Sequence, residues 1–134
     1  MSFVLEALEE LNLPKDKFVV VGSGIMDVLG IRSADDVDII VPQDIFESLS
    51  SAGWKKVAKP HGLALEKGAF EAGLSWDEEG DKPNFKELFK QSVEVNGFHF
   101  ASLECVLHWK HNKRRPKDLK DIELIENYLK KTTK

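Results

Sequence analysis

The amino-acid sequence predicts an α/β domain, and three observations carry that expectation. Short apolar runs of strand character alternate along the chain with segments of helical periodicity. Phe18-Val19-Val20-Val21 runs straight into Gly22-Ser23-Gly24, a buried strand followed by a tight turn that opens a helix. Val93 to Phe100 is a strong hairpin signal around Asn96-Gly97, and two further helical periodicities follow it. At 134 residues the chain is expected to be one domain with a sizeable core.

Composition narrows the function classes. Hydrophobic residues make up 42% and charged residues 31%, a balance that suits a folded domain rather than a disordered one. A net charge of −4 argues against strong sequence-independent binding to nucleic acid. The one cysteine, Cys105, excludes an intrachain disulfide and fits a reducing cytoplasm. No stretch approaches the roughly 18 apolar residues of a membrane span, and Met1-Ser2-Phe3 followed by acidic sequence is unlike a secretory signal. The expectation is a cytoplasmic protein without a membrane partner.

Taken in order, Ser2 caps a first helix on Val4, Leu5, Leu8 and Leu11, which Asn12 to Lys15 ends. After the strand at Phe18 to Val21, Ser23 caps a short helix from Gly24 to Leu29, and Gly30 closes it. Asp36-Val37-Asp38-Ile39-Ile40-Val41 reads as the next strand, stopped by Pro42. Asp44 and Glu47 have capping-box spacing for a helix ending at Gly53. Trp54 to Val57 is a strand, Pro60-His61-Gly62 a turn, and Leu63 to Leu65 with Ala69 to Trp76 a hairpin or two adjoining strands. On the second of these, Glu71, Gly73 and Ser75 share one face. Asp77 to Pro83 is loop-like, and Asn84 with Glu87 is a second capping box. Ser102 caps a helix with Leu103, Val106, Leu107 and Lys110 along its inner edge. Lys113 to Lys117 reads as a basic connector to a final helix from about Asp118, striped by Leu119, Ile122, Ile125 and Leu129.

Two stretches carry chemistry. The turn after Val21 offers Ser23 and free backbone N–H groups at a helix start, a setting that favours phosphate. Asp36 and Asp38, at i and i+2, point to one face of a strand, where two like charges repel. A divalent cation resolves that conflict, and Mg²⁺ suits hard carboxylate oxygens shared with substrate phosphates. Either motif alone is weak; their order and spacing make the pair more specific. In the basic run, Lys110, Arg115 and Lys117 read either as phosphate contacts or as a solvated helix end. Asp118 and Asp121 read as cap and surface ion-pair residues. His108 and His111 lack the companions of a zinc set, Trp54, Trp76 and Trp109 read as core, and Cys105 as packing.

These residues resemble the nucleotidyltransferase superfamily, which includes DNA polymerase beta and kanamycin nucleotidyltransferase. Its motif is an apolar strand, Gly-Gly or Gly-Ser, then Asp-x-Asp or Asp-x-Glu between apolar residues; Gly22, Ser23, Asp36 and Asp38 match it one by one. Arg32-Ser33 ahead of the acids fits the form common in the group. The tail, from Phe100-Ala101-Ser102 through Trp109-Lys110 and Arg115-Pro116-Lys117-Asp118 to Asp121-Ile122, is similar to small bacterial members related to toxin-type proteins. The resemblance implies a mixed central sheet flanked by helices, with a core of about 1–101 and a C-terminal helical pair of about 102–131. It implies a nucleoside triphosphate with its phosphates against Gly22 and Ser23, near Arg32, Ser33, Lys110, Arg115 and Lys117. Asp36 and Asp38 would hold Mg²⁺ or Mn²⁺, joined by a third carboxylate. Glu71 is the candidate for that place and Glu66 and Glu94 are its competitors. The implied reaction moves a nucleoside monophosphate to an acceptor hydroxyl, on a protein or an RNA, and releases pyrophosphate. The alternatives are a non-catalytic nucleotide-binding module and a toxin–antitoxin-type module that works through a protein partner or as a homo-oligomer.

Overall fold

The computed structural model describes residues 2–59, 62–76 and 83–132. Seven strands form one mixed sheet: β1 Val19–Val21, β2 Val37–Ile40, β3 Lys55–Lys59, β4 Gly62–Lys67, β5 Phe70–Gly73, β6 Val93–Val95 and β7 Phe98–Phe100. Their spatial order is β3-β4-β5-β2-β1-β7-β6. The helices are α1 Phe3–Leu11, α2 Gly24–Val28, α3 Gln43–Ser51, α4 Phe85–Lys90, α5 Leu103–Lys113 and α6 Pro116–Thr132. The α/β expectation holds, as does the helical pair at the C-terminal end.

β1 lies near the middle of the sheet, antiparallel to β2 and parallel to β7. All three of its valines are buried, which is why the run carries no polar residue. Full burial of each valine contributes roughly 1.5–3 kcal/mol. Gly24, at the start of α2, is held to glycine by packing: a Cβ there would stand 2.4 Å from Val20 Cγ1. The short helix α2 therefore lies directly on β1. Asp27 on α2 is buried and accepts hydrogen bonds from Ser2 Oγ, from the Ala34 backbone N–H at 2.8 Å and from that of Val4 at 3.4 Å. One carboxylate thus ties the start of α1 to the segment that enters β2.

Local signals are realised where the chemistry is local. Ser2 accepts from the Leu5 N–H at 3.1 Å, and Ser102 from the Cys105 N–H at 3.2 Å. Asn84 and Glu87 form the reciprocal capping box. Asn96 and Gly97 take φ of 52° and 84°, the left-handed pair that a two-residue turn between β6 and β7 requires. The capping box at Asp44 and Glu47 is not formed. Pro42 stands at the N-cap, so the helix starts at Gln43 and Asp44 falls inside its first turn, where its charge complements the dipole.

The largest departure is at the C-terminal end. α5 continues to Lys113 and α6 begins at Pro116, so the expected basic connector shrinks to Arg114 and Arg115. Proline is favoured at a first helical position because its missing N–H would be unsatisfied there in any case. The inner stripe of α6 is Asp118, Asp121, Ile122 and Ile125, while Leu119 is 48% exposed. The two aspartates occupy the buried face because cations from three other places meet them. The turn expected at Pro60-His61 and most of the loop from Asp77 lie outside the described residues.

Candidate active site

The turn after β1 and the acids of β2 meet as their spacing predicted. β1 and β2 are antiparallel neighbours, with Val21 opposite Asp38. Gly22 has φ +69°, and a Cβ on it would lie 3.3 Å from Asp38 Oδ2. The left-handed backbone is what calls for glycine there, and a Cβ would in addition crowd that carboxylate. Asp36 sits just before β2, exposed, and Asp38 is half-buried on the strand. An open cleft of about 420 Å³ brings together Gly22, Ser23, Arg32, Asp36, Asp38, Lys110, Arg115 and Lys117. Eight of the ten residues named from the sequence therefore line one cavity.

The other two stand differently. Glu71 on β5 is in parallel register with Asp38, so both side chains leave the same face of adjacent strands. The two border a smaller cavity of about 150 Å³ that Trp76 and Trp109 also line. Glu71 is also drawn to Lys59 at 3.1 Å, which holds Glu66 at the same distance. Ser33 lines neither cavity; its carbonyl accepts from Arg32 Nη1 at 2.9 Å. Of the competitors, Glu66 pairs opposite Glu71, and Glu94 lies on β6 at the other edge of the sheet. Asp36, Asp38 and Glu71 do not form a preassembled ligand set: no group of three His, Cys, Asp or Glu able to hold a metal ion occurs among the described residues. Glu71 is instead ion-paired with Lys59.

Electrostatics nevertheless mark Asp38 as short of positive charge. Burial, then the neighbouring Asp36 and Glu71, push its carboxyl up to about 7, and Lys59 and Lys117 offset only part of this. Hard carboxylate oxygens with uncompensated charge are the donor type that a divalent cation such as Mg²⁺ takes.

Ser23 departs from its expected role. Its side chain makes no capping bond to α2. Its oxygen instead accepts from Arg32 Nη2 at 2.8 Å and from Lys110 Nζ at 3.2 Å. Both cations are anchored on Asp121: Arg32 donates from Nε and Nη2, each at 2.7 Å, and Lys110 from Nζ at 2.9 Å. Lys110 also reaches Asp118 Oδ1 at 3.5 Å. Asp118 in turn accepts from Arg115 Nε at 2.6 Å, Nη2 at 3.1 Å and the backbone N–H at 3.1 Å. That last bond is half of a capping box for α6. Asp118, Lys110 and Asp121 are 0%, 2% and 3% exposed. These aspartates are the buried hub of an ion-pair network, not surface residues.

Burial pushes both aspartates up. Hydrogen bonds from Arg115 to Asp118, and from Arg32 and Lys110 to Asp121, outweigh it and leave both below the ordinary carboxylate range. Arg32 is raised, its bond to Asp121 exceeding the cost of burial. Lys117 and Lys120, on the first turns of α6, also line the cleft, and neither has a hydrogen-bond or ion-pair partner among the described residues. Lys120 was missed in the sequence, although its i, i+3 spacing from Lys117 places both on one helix side. Trp109 borders both cavities, with its ring 5.2 Å from that of Trp76 and with Lys110 and Arg115 over it at 5.2 and 5.1 Å. His108 and His111 belong to no metal group among the described residues.

No protein-family model matches the chain, and no curated protein sequence does. Solved structures do. A crystal structure of ANT(2″)-Ia in complex with adenylyl-2″-tobramycin superposes with a TM-score of 0.54 at 19% identity, covering 94% of this chain and 85% of that one. A solution structure of the antibiotic-resistance factor ANT(2″)-Ia gives the same score and identity, covering 94% of this chain and 80% of that one. These neighbours are aminoglycoside nucleotidyltransferases, members of the nucleotidyltransferase superfamily. The seven-stranded mixed sheet with its C-terminal helices is thus the nucleotidyltransferase fold.

Proposed function

We propose that the protein is a metal-dependent nucleotidyltransferase, moving a nucleoside monophosphate from an NTP to an acceptor hydroxyl with release of pyrophosphate. The observation that carries this reading is the approach of Gly22 to the Asp38 carboxylate inside a cleft whose other wall is cationic. Triphosphate oxygens take the Gly22-Ser23 turn and the side chains of Lys117 and Lys120. Asp36 and Asp38 would hold Mg²⁺ or Mn²⁺, with Glu71 turning in from Lys59 as the third carboxylate. Such ions, when bound, neutralise charge on the entering and leaving oxygens and lower the pKa of the acceptor hydroxyl. The chain's own contribution is positioning: the turn fixes the phosphate tail, and the strand fixes the acids against it. Residues of about 1–101 and the helical pair of about 102–131 act as one unit in this reading, because α5 and α6 supply the cationic wall. A cytoplasmic setting suits an NTP substrate.

A second reading has its own support. Glu71 is engaged by Lys59, and no three-carboxylate group stands ready among the described residues; both features suit a module that binds nucleotide or a protein partner, toxin–antitoxin components included, without turnover. The acceptor separates the readings. The neighbour's complex contains adenylyl-tobramycin, so aminoglycosides join proteins and RNA as acceptors to test. The assay incubates the protein with each α-labelled NTP, Mg²⁺, and either an aminoglycoside panel or a cell extract. The expected result is pyrophosphate release with label transferred to one acceptor. Tight NTP binding with no pyrophosphate under any condition would establish the binding-module reading instead.

A further inference from the structure

Ser23 at the phosphate turn has its hydrogen bonding constrained from outside the turn. A hydroxyl has one O–H to donate and two lone pairs. Arg32 Nη2 and Lys110 Nζ, both cationic, fill those lone pairs at 2.8 and 3.2 Å, and Ser23 donates to nothing among the described residues. Lys110 is equally committed. Its three N–H groups face three acceptors, Asp121 at 2.9 Å, Ser23 at 3.2 Å and Asp118 at 3.5 Å, and its side chain is buried. It has no donor left for a ligand, so the phosphate contact expected of Lys110 is indirect.

We propose that Asp121 is a positioning residue: by fixing Arg32 and Lys110 on the lone pairs of Ser23, it leaves that hydroxyl able only to donate, and aims its proton at a phosphate oxygen of the substrate. The proposal rests on the triphosphate reading of the cleft. Two cationic donors on one oxygen polarise its O–H and strengthen the bond it gives to an anion. They also leave Ser23 without a lone pair for a metal ion, so its contact is with phosphate alone. The link runs from α6 through two side chains to the turn after β1, which makes the C-terminal helix part of substrate recognition.

The test is a double-mutant cycle read by calorimetric titration with inorganic tripolyphosphate in Mg²⁺, a probe independent of base and acceptor. Ser23→Ala is expected to weaken binding about tenfold, the loss of one hydrogen bond to a charged group. Asp121→Asn, which leaves Lys110 paired with Asp118, is expected to weaken it roughly threefold to tenfold in the Ser23 protein. In the Ser23→Ala background the same change should cost less than about twofold, because Asp121 acts through Ser23. Arg32→Lys, which leaves Asp121 paired with Lys110, covers the case in which Asp121→Asn does not fold, and the same Ser23-dependent loss is expected of it. Losses that add in the double variants, or full affinity in Asp121→Asn or Arg32→Lys, would overturn the positioning role while the triphosphate site stands. Failure of the unaltered protein to bind tripolyphosphate would overturn the reading of the cleft, and this inference with it.

Discussion

Asp38→Asn is expected to melt higher than the unaltered protein at pH 8 while losing nucleotidyl transfer by about 10²–10³-fold, the scale set by removing one key electrostatic group. The stability gain follows from the raised carboxyl. Burial beside Asp36 and Glu71 moves Asp38 up to about 7, against an unfolded value of about 3.9. A carboxyl raised on folding binds its proton more tightly in the native state. Its contribution to stability is therefore complete below about pH 4 and is lost as pH rises toward 7. The whole shift corresponds to at most about 4 kcal/mol. Asparagine removes the titration, so the difference in Tm should be near zero at pH 4, widen through pH 5–7, and level off above. Melting curves across that range check it. A gap independent of pH would mean that Asp38 does not carry the uncompensated charge.

Lys110→Met should be the most destabilising single change in the cleft wall. It leaves Asp118 and Asp121 buried with only their arginine partners. Removing one member of a buried pair costs roughly 3–5 kcal/mol, because an uncompensated charge remains behind. For a domain of this size that lowers Tm by roughly 10–20 °C. The pH signature has the opposite sign to that of Asp38. Asp118 and Asp121 are held below the ordinary range, so their contribution is present above pH 4 and disappears as pH falls through their native values. Without Lys110 that depression weakens, and acid unfolding should begin at higher pH. Melting curves from pH 3 to pH 8 measure both effects; a variant as stable as its parent would show that the network only bridges solvated groups.

What was legible in the sequence is what short-range chemistry dictates. Gly22, Ser23, Asp36 and Asp38 could be placed because a strand, a glycine turn and an i, i+2 pair each constrain a few neighbouring residues. The face that Glu71 shares with Gly73 and Ser75 followed from strand alternation. The Asn84 box and the Asn96-Gly97 turn were legible for the same reason. The hub at Asp118 and Asp121 was not, since a buried aspartate and a solvated one look alike until the partners are known. Those partners, Arg32 and Lys110, come from the loop ahead of β2 and from α5. A stripe of leucine and isoleucine spacing therefore drew Leu119 inward, whereas the structure turns the aspartates in and Leu119 out. Likewise the hold of Lys59 on Glu71 depends on how β3, β4 and β5 align, and no local pattern encodes that.

The central claim is that cation and triphosphate meet between the Gly22-Ser23 turn and Asp38, and Mn²⁺ broadening of amide resonances in ¹⁵N-labelled protein tests it most directly. With tripolyphosphate present, the account predicts selective loss of signals from Gly22 to Gly24 and from Asp36 to Ile39 at substoichiometric Mn²⁺. Broadening centred on His108 and His111, or none beyond the level of free ion in solution, would contradict it.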